Sequence, residues 1–278
     1  ASDVYKRQTY KIIMNKFDEH IQNLVALCSR IGKIQLENQS SLKIKTKSDK
    51  SPVTNIDLLS NDIIVDYLLS NFPDDIVISE ESIDKTERDN SYWVVDPIDG
   101  TKDYIKGGSQ FCICISYIKN NFPVFGIIYI PSTKEFYYAI QGNGSYLIRE
   151  GKESIRLPSK ININDCIFLS TSVRESILDI LGNHFPTSDR VFMSSAIKFS
   201  KIAEGSGHFS VRLGPTYEWD TAAGQCIVEE SGGLFLDKNL KRFSYGAEDN
   251  FLNGPFFVIN GNLSDYKETI SQCLSLTG

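Results

Sequence analysis

The sequence lacks the features of membrane proteins and of proteins that bind long nucleic acids. None of its 278 residues falls in an apolar run of 18 or more, so no membrane-spanning helix is expected. Residues 1–8 lack the apolar core of a secretory signal, and we expect residues 1–9 to form a loose tail. No long basic run is present and the net charge is −6, which argues against long nucleic acids as partners.

Histidine is scarce, and the cysteines lack the spacing of metal ligands. His20, His184 and His208 are far apart in the chain, which argues against zinc and histidine-phosphatase chemistry. We expect the six cysteines to be buried free thiols in a reducing cytoplasm. If the chain is bacterial, the alternative location is peripheral attachment to the inner membrane. The sequence does not distinguish a monomer from a dimer. The cysteines are Cys28, Cys112, Cys114, Cys166, Cys226 and Cys273.

The hydrophobic pattern changes at about residue 155, which predicts two parts. Before this point, two amphipathic helices precede strands separated by turn formers, which predicts an antiparallel meander. After it, strands alternate with helices. We expect an α/β protein with layered α+β character, an N-terminal domain over 10–153, a C-terminal domain over 154–278, and the site at their seam. Residues 43–50 are expected to form a hairpin or a mobile loop, and the loop at 40–50 is a candidate lid.

The predicted elements follow from these periodicities. The expected helices cover residues 10–36, 55–71, 174–183, 195–204, 220–231 and 264–275. The expected strands cover residues 76–78, 92–95, 111–118, 123–130, 135–140, 145–148, 166–170, 191–193, 208–212, 233–236 and 256–259.

The most informative segment is Asp96-Pro97-Ile98-Asp99-Gly100-Thr101. We expect a strand that ends at Asp96 and a helix that begins at Gly100, so that both carboxylates face one point beside unpaired N–H groups. Hard divalent cations such as Mg²⁺ prefer oxygen ligands of this kind together with substrate phosphates. The alternative is an Asp-Pro turn with an Asx-type hydrogen bond.

Three further acidic residues have both a functional and a structural interpretation. Glu80 follows the strand at 76–78 and is either a metal ligand or part of a solvated turn. Asp220 is either a ligand or the N-cap of the helix that follows it. Asp57 is either functional or a first-turn acid favoured by the helix dipole.

Taken in order, these four acidic segments resemble the inositol monophosphatase superfamily of lithium-sensitive phosphatases, over about residues 50–261. Within it, the chain is most similar to the 3'(2'),5'-bisphosphate nucleotidase branch of the CysQ type. The features that resemble this branch are Lys102, the segment Ser194 to Phe199, the segment Arg212 to Thr216, and Phe251 to Asn253. Asp103-Tyr104 and Phe256-Phe257 depart from the branch pattern. The resemblance implies the sugar phosphatase fold, with alternating α-β-α-β-α layers.

The resemblance also implies a magnesium site and a set of catalytic residues. It implies two to three Mg²⁺ ions, held by Glu80, Asp96, the carbonyl of Ile98, Asp99 and Asp220. Asp57 and Thr101, with Glu80 as a further partner of the Thr101 hydroxyl, would orient and deprotonate the attacking water.

The implied substrate is a small nucleotide bisphosphate. The N–H groups of Gly100 and Thr101 would hold the scissile phosphate. The other implied substrate contacts are Lys102, Ser195, Lys198 and Arg212. The expected reaction is hydrolysis of 3'-phosphoadenosine 5'-phosphate to AMP and phosphate.

Two alternative functions remain at this stage. One is another phosphatase of the superfamily, acting on inositol monophosphate or on fructose 1,6-bisphosphate. The other, from a different class, is a calcium-binding protein without catalysis, although the chain lacks the ligand spacing of an EF-hand loop.

Overall fold

The computed structural model describes residues 16–47, 49–82, 89–158, 165–193, 195–248 and 250–277, so the predicted tail at 1–9 lies outside the described residues. The helices are α1 (Ile21–Asn38), α2 (Asn55–Asn71), α3 (Thr101–Ile105), α4 (Glu175–His184), α5 (Ile197–Ala203), α6 (Glu218–Glu230) and α7 (Lys267–Ser275). The strands are β1 (Ile44–Thr46), β2 (Pro52–Thr54), β3 (Ile76–Ser79), β4 (Ser91–Asp99), β5 (Cys112–Lys119), β6 (Phe122–Ile130), β7 (Glu135–Ile140), β8 (Gly144–Arg149), β9 (Ile155–Leu157), β10 (Cys166–Leu169), β11 (Asp189–Phe192), β12 (Phe209–Arg212), β13 (Thr216–Tyr217), β14 (Leu234–Asp237), β15 (Leu252–Asn253) and β16 (Phe256–Ile259).

The larger sheet has seven strands in the order β3-β4-β5-β6-β7-β8-β9. Strands β3 and β4 are parallel, and every later pair of neighbours is antiparallel, which confirms the predicted meander. Asn120 and Asn121 make the turn between β5 and β6 with φ values of 50° and 68°, a region that asparagine tolerates. Strand β9 was not predicted, and it pairs with β8 at the edge of this sheet. The domain division between residues 153 and 154 stays a prediction.

The second sheet has five strands in the order β11-β10-β12-β16-β14. Strand β10 is parallel to β11 and β12, whereas β16 is antiparallel to β12 and β14. Two short antiparallel pairs, β1-β2 and β13-β15, complete the strands. The β1-β2 pair is the hairpin predicted from the lysine-rich stretch at 43–50.

The elements stack in five layers, α-β-α-β-α. Helices α1 and α2 pack on one face of the seven-stranded sheet, where Phe17 of the chain before α1 contacts Trp93 and Phe125. Helices α5 and α6 lie between the two sheets in a core that includes Trp219 and Phe235. Helices α4 and α7 cover the outer face of the five-stranded sheet. Strands β4 to β7 are buried on both faces, which explains their nearly continuous apolar sequences.

Several element boundaries differ from the sequence predictions. Strand β4 does not end at Asp96 but continues to Asp99, because an irregular register lets it pair with β5 beyond the predicted end. Helix α6 begins at Glu218 rather than at residue 220. The helix predicted over 264–275 is a 3₁₀ turn, Leu263–Asp265, followed by α7. Among the described residues, no helix combines the length and the apolar character that a membrane span requires.

Candidate active site

A β-bulge in β4 turns two carboxylates to the same side of the sheet. Asp96 pairs with Cys114 and Asp99 pairs with Cys112, so β4 uses one more residue than β5 between these pairs. In a regular strand, side chains three positions apart point to opposite faces. The extra residue of the bulge turns the side chain of Asp99 to the same face as that of Asp96. The N–H of Ile98 donates to Asp96 Oδ1 at 2.9 Å and fixes that carboxylate within the bulge.

Asp220 joins the two carboxylates of β4 to form an acidic cluster, defined here as Asp96, Asp99 and Asp220. One carboxylate oxygen of each lies within 4.8 Å of the others. Burial raises the pKa of all three groups, and the charge of Glu80 raises it further. The pKa of Asp99 is raised to about 6, because the charge of Lys198 and the N–H of Ala196 offset part of the effect of burial. The N–H of Ala196, just before α5, donates to Asp99 Oδ2 and connects the second half of the chain to the cluster.

Asp57 and Asp220 occupy the same position, the third residue, in helices α2 and α6. Asp57 Oδ2 accepts a hydrogen bond of 2.8 Å from the N–H of Thr54, and Asp220 Oδ2 accepts one of 2.8 Å from the N–H of Tyr217. Each bond belongs to a capping box, which holds the carboxylate at the start of its helix. The sequence analysis offered the N-cap as the structural role of Asp220. The N-cap is instead Tyr217, and Asp220 is the third residue of the helix.

Glu80 lies beside the acidic cluster and is held by a lysine. Lys47 Nζ is 2.8 Å from Glu80 Oε1 and 2.8 Å from Glu81 Oε1. Although burial opposes the charge of Lys47, these two carboxylates raise the pKa of its ammonium group. Lys47 follows β1 in the hairpin, and the sequence analysis did not include it among the functional residues. The lysine-rich composition of the hairpin was the available signal.

Thr101 and Asp57, the pair predicted to orient the attacking water, lie together. Thr101 Oγ1 donates to the carbonyl of Ile98 at 3.0 Å and is 3.4 Å from Asp57 Oδ1. Burial raises the pKa of Asp57, and its hydrogen bonds from Thr54 lower it in part. The hydroxyl of Thr101 is thus placed between a backbone carbonyl and a carboxylate.

Gly100 connects β4 to α3 in a conformation that other residues avoid. Its φ is 101°, and a Cβ at this position would lie 2.5 Å from the carbonyl oxygen of Gln110. Helix α3 begins at the next residue, Thr101, so the first N–H groups of this turn have no partner within the helix. These donors lie where the sequence predicts that a phosphate binds.

Two cations lie near this site, Lys198 close to Asp99 and Arg212 close to Lys198. Lys198 Nζ donates to the carbonyl of Ser195 at 2.7 Å, and Ser195 itself is buried. Burial lowers the pKa of Lys198, the charge of Asp99 raises it, and the charge of Arg212 lowers it again. The positive charges of Lys198 and Arg212 are therefore close enough to act on each other.

Arg212 is fixed by hydrogen bonds at the end of β12. Its Nη1 donates to the hydroxyls of Ser170 at 2.8 Å and Ser172 at 3.1 Å, and its Nη2 donates to the carbonyl of Pro215 at 3.2 Å. These partners are neutral, so the positive charge of the guanidinium is not cancelled by them. Lys102, by contrast, is exposed on α3, and no contact in the described part of the chain ties it to the acidic cluster.

The donors of the acidic cluster fit Mg²⁺. They are carboxylate oxygens, the ligands that this ion prefers, and they are concentrated at one point in a largely buried region. Buried carboxylates that raise the pKa of one another are destabilising unless protons or cations neutralise them. A divalent cation would remove this repulsion.

The profile of the inositol monophosphatase family matches residues 16–267. The chain belongs to the inositol monophosphatase family. Among its relatives, the 3'(2'),5'-bisphosphate nucleotidase CysQ of Aggregatibacter actinomycetemcomitans is 31% identical over 247 residues, which cover 86% of this chain and 91% of the relative. The solved structure of CysQ from Bacteroides thetaiotaomicron is 27% identical with a TM-score of 0.71, covering 87% of this chain and 99% of that one.

Another solved member shares the fold at lower identity. An IMPase/NADP phosphatase complexed with Mg²⁺ and phosphate is 21% identical, with a TM-score of 0.73 and coverage of 93% of this chain and 95% of that one. The expected layered fold of the inositol monophosphatase family is thereby confirmed. The roles of individual residues in this chain stay predictions.

Proposed function

We propose that this member of the inositol monophosphatase family is a magnesium-dependent 3'(2'),5'-bisphosphate nucleotidase. Its reaction converts 3'-phosphoadenosine 5'-phosphate and water to AMP and phosphate. Relatives named CysQ that are 31% identical and more support the branch. The observation that carries the proposal is that Lys198 lies near Asp99 and that Arg212 lies near Lys198, because a second phosphate would supply negative charge to this pair of cations.

Asp96, Asp99 and Asp220 would hold the magnesium, together with Glu80 and the carbonyl of Ile98. Bound magnesium supplies Lewis-acid stabilisation of the phosphate and a water of lowered pKa. The proposal includes two or three magnesium ions per active site, as the sequence predicts. It also includes the predicted cytoplasmic location.

The chain's own residues then position the reacting groups. The N–H groups of Gly100 and Thr101 donate to the oxygens of the scissile phosphate at the start of α3. Thr101 Oγ1 accepts a proton from the attacking water and passes its own to Asp57 Oδ1, which is 3.4 Å away. Asp57 Oδ2 is engaged by Thr54, so only the other oxygen of this carboxylate is available.

Lys198 and Arg212 bind the second phosphate and so select the substrate. Ser195 orients Lys198 through its carbonyl, whereas Ser170 and Ser172 fix the guanidinium plane of Arg212. Since these cations would bind the second phosphate and not the scissile one, they contribute to specificity and not to the chemical step.

The test compares kcat/KM for 3'-phosphoadenosine 5'-phosphate and inositol 1-phosphate in the presence of Mg²⁺. We expect a preference of about 100-fold or more for the nucleotide, because only the nucleotide carries a second phosphate for Lys198 and Arg212. Asp96→Asn is expected to lower both activities by several decades with an unchanged circular dichroism spectrum. A preference for the inositol substrate would assign the chain to another branch, and full activity of a folded Asp96→Asn would refute the metal site.

A further inference from the structure

Two thiols lie side by side next to the acidic cluster. Cys112 and Cys114 are two positions apart on β5, and their sulfur atoms are 3.8 Å apart. Both belong to the core between the two sheets, whereas the intervening Ile113 belongs to the core on the opposite face. The alternation of the strand therefore directs both sulfur atoms to the side of the sheet that carries the acidic cluster.

Asp99 completes a group of three donors with these thiols. Cys112 Sγ is 3.7 Å from Asp99 Oδ2, and one donor atom of each of the three residues lies within 4.8 Å of the others. Asp99 is half-buried, while both cysteines are fully buried. A cation would therefore reach the sulfur atoms from the side of Asp99, the most exposed of the three residues.

The spacing of these donors matches tetrahedral coordination. With a zinc–sulfur distance of about 2.3 Å and a zinc–oxygen distance of about 2.0 Å, tetrahedral angles place two sulfur atoms about 3.8 Å apart and a sulfur and an oxygen about 3.5 Å apart. The observed distances are 3.8 Å between the sulfur atoms and 3.7 Å from Cys112 Sγ to Asp99 Oδ2. Two of the three donor–donor distances therefore fit one tetrahedral ion, and the third, from Cys114 Sγ to Asp99, is within 4.8 Å.

The chemistry favours a soft cation and disfavours a disulfide. Thiolates select Zn²⁺ and related soft ions, while Mg²⁺ prefers an all-oxygen set. Two residues of one strand that are two positions apart have Cα atoms about 6.8 Å apart, which is at the upper limit for a disulfide. Chelation is therefore the easier reaction of this pair.

We propose that Asp99, Cys112 and Cys114 form a binding site for one thiophilic divalent cation, Zn²⁺ or Cd²⁺, which shares only Asp99 with the proposed magnesium ligands. Binding releases the two thiol protons to solvent and forms two metal–sulfur bonds and one metal–oxygen bond. The sequence analysis expected no zinc because the cysteines lack ligand spacing along the chain, but the fold supplies Asp99 from the neighbouring strand. Since Asp99 is also a proposed magnesium ligand, the soft cation should compete with Mg²⁺ for the protein. This competition rests on the proposed function, whereas the binding of the soft cation does not.

The first experiment titrates the magnesium-free protein with Cd²⁺ and follows the ultraviolet cadmium–thiolate charge-transfer absorption. We expect the absorption to saturate at one equivalent in the parent chain. Cys112→Ser and Cys114→Ser should each lose at least half of the absorption and bind Cd²⁺ at least about tenfold more weakly. The control is Cys28→Ser, because Cys28 is an equally buried thiol in the core on the other face of the sheet, and it should behave as the parent does.

A second measurement needs no variant and therefore does not depend on variant folding. Zinc-edge X-ray absorption of the parent chain with one equivalent of Zn²⁺ should show two sulfur neighbours at about 2.3 Å. Only oxygen or nitrogen neighbours, or cadmium absorption that survives in both serine variants, would overturn the site.

Competition between the ions is measured separately from binding. Millimolar Mg²⁺ should raise the apparent Kd for Cd²⁺ if Asp99 is shared. Thiolate absorption that is insensitive to Mg²⁺ would contradict the shared ligand, and with it the proposed magnesium role of Asp99, while the soft-cation site itself would stand.

Discussion

At the scale of single residues, structural and functional roles coincide in the same carboxylates. Asp57 and Asp220 are each the third residue of a helix and close a capping box with one oxygen. Asp57 directs its other oxygen to Thr101. The sequence presented these roles as alternatives, yet a carboxylate has two oxygens, so the capping bond can fix the orientation that the chemistry requires.

The role of Arg212 in substrate choice leads to a first prediction. Arg212→Ala should lower kcat/KM for 3'-phosphoadenosine 5'-phosphate by about 100-fold, because a charge-assisted contact to a phosphate is lost, and should change that for a monophosphate by less than about threefold. The control is Arg242→Ala, whose guanidinium pairs with Glu229 on the surface of the molecule. Equal losses on both substrates would exclude a contact to the second phosphate.

The lowered pKa of His208 predicts how the free energy of unfolding depends on pH. Its pKa is lowered, chiefly by burial, although Asp165 opposes this. The unfolded chain therefore takes up a proton near pH 6.5 that the folded chain resists, so the free energy of unfolding falls as the pH drops from about 7 to 5.5. His208→Gln should reduce this loss by up to about 1 kcal/mol, measured by urea unfolding at both pH values. An identical loss in the variant would show that other groups cause the pH dependence.

At the scale of elements, the site depends on how closely α6 approaches the seven-stranded sheet. A Cβ on Gly126 of β6 would lie 2.7 Å from the carbonyl oxygen of Ala223 and 3.0 Å from the Cβ of Cys226, both on α6. Gly224, on another side of the same helix, lies against Phe199 of α5. The small residues after Asp220 therefore allow close packing of α6.

Gly126→Val should push α6 away from the sheet. We expect a destabilisation of about 1–3 kcal/mol from overpacking and a further loss of kcat/KM of about 10- to 100-fold, because α6 carries Asp220. Urea unfolding and steady-state kinetics measure the two effects. Gly254→Ala is the control, since nothing lies within 4 Å of a Cβ at that position. If Gly126→Val is destabilised but its kinetics are unchanged, the placement of Asp220 does not depend on the close packing of α6 against the sheet.

At the scale of the whole molecule, the acidic cluster joins elements from both halves of the chain. Strand β4 provides Asp96 and Asp99, α6 provides Asp220, and the N–H of Ala196 before α5 contacts Asp99. The repulsion within this cluster is present in the folded chain and is relieved when the chain unfolds. A cation that binds the folded state should therefore stabilise the entire fold.

Magnesium should raise the melting temperature of the parent chain. At a Mg²⁺ concentration about 100 times the Kd, one bound ion contributes about 2.7 kcal/mol, which corresponds to a rise of about 5 °C for a chain of this size. Asp96→Asn should melt at or above the magnesium-free parent, because one buried charge is removed, and should show little response to Mg²⁺. Calorimetry with and without a chelator measures both. An equal response of parent and variant would place the stabilising ion elsewhere.

The sequence by itself determined the strands of the meander, the helix at 55–71 and the family, because these depend on local periodicity and on short segments whose spacing is visible in the chain. It did not reveal that β4 extends through a bulge to Asp99, that Lys47 pairs with Glu80, or that Asp99 lies against Cys112 and Cys114. Those contacts join residues from separate strands, hairpins and turns. Only the tertiary structure decided them, because the register between neighbouring strands and the packing of helices on sheets fix which side chains meet.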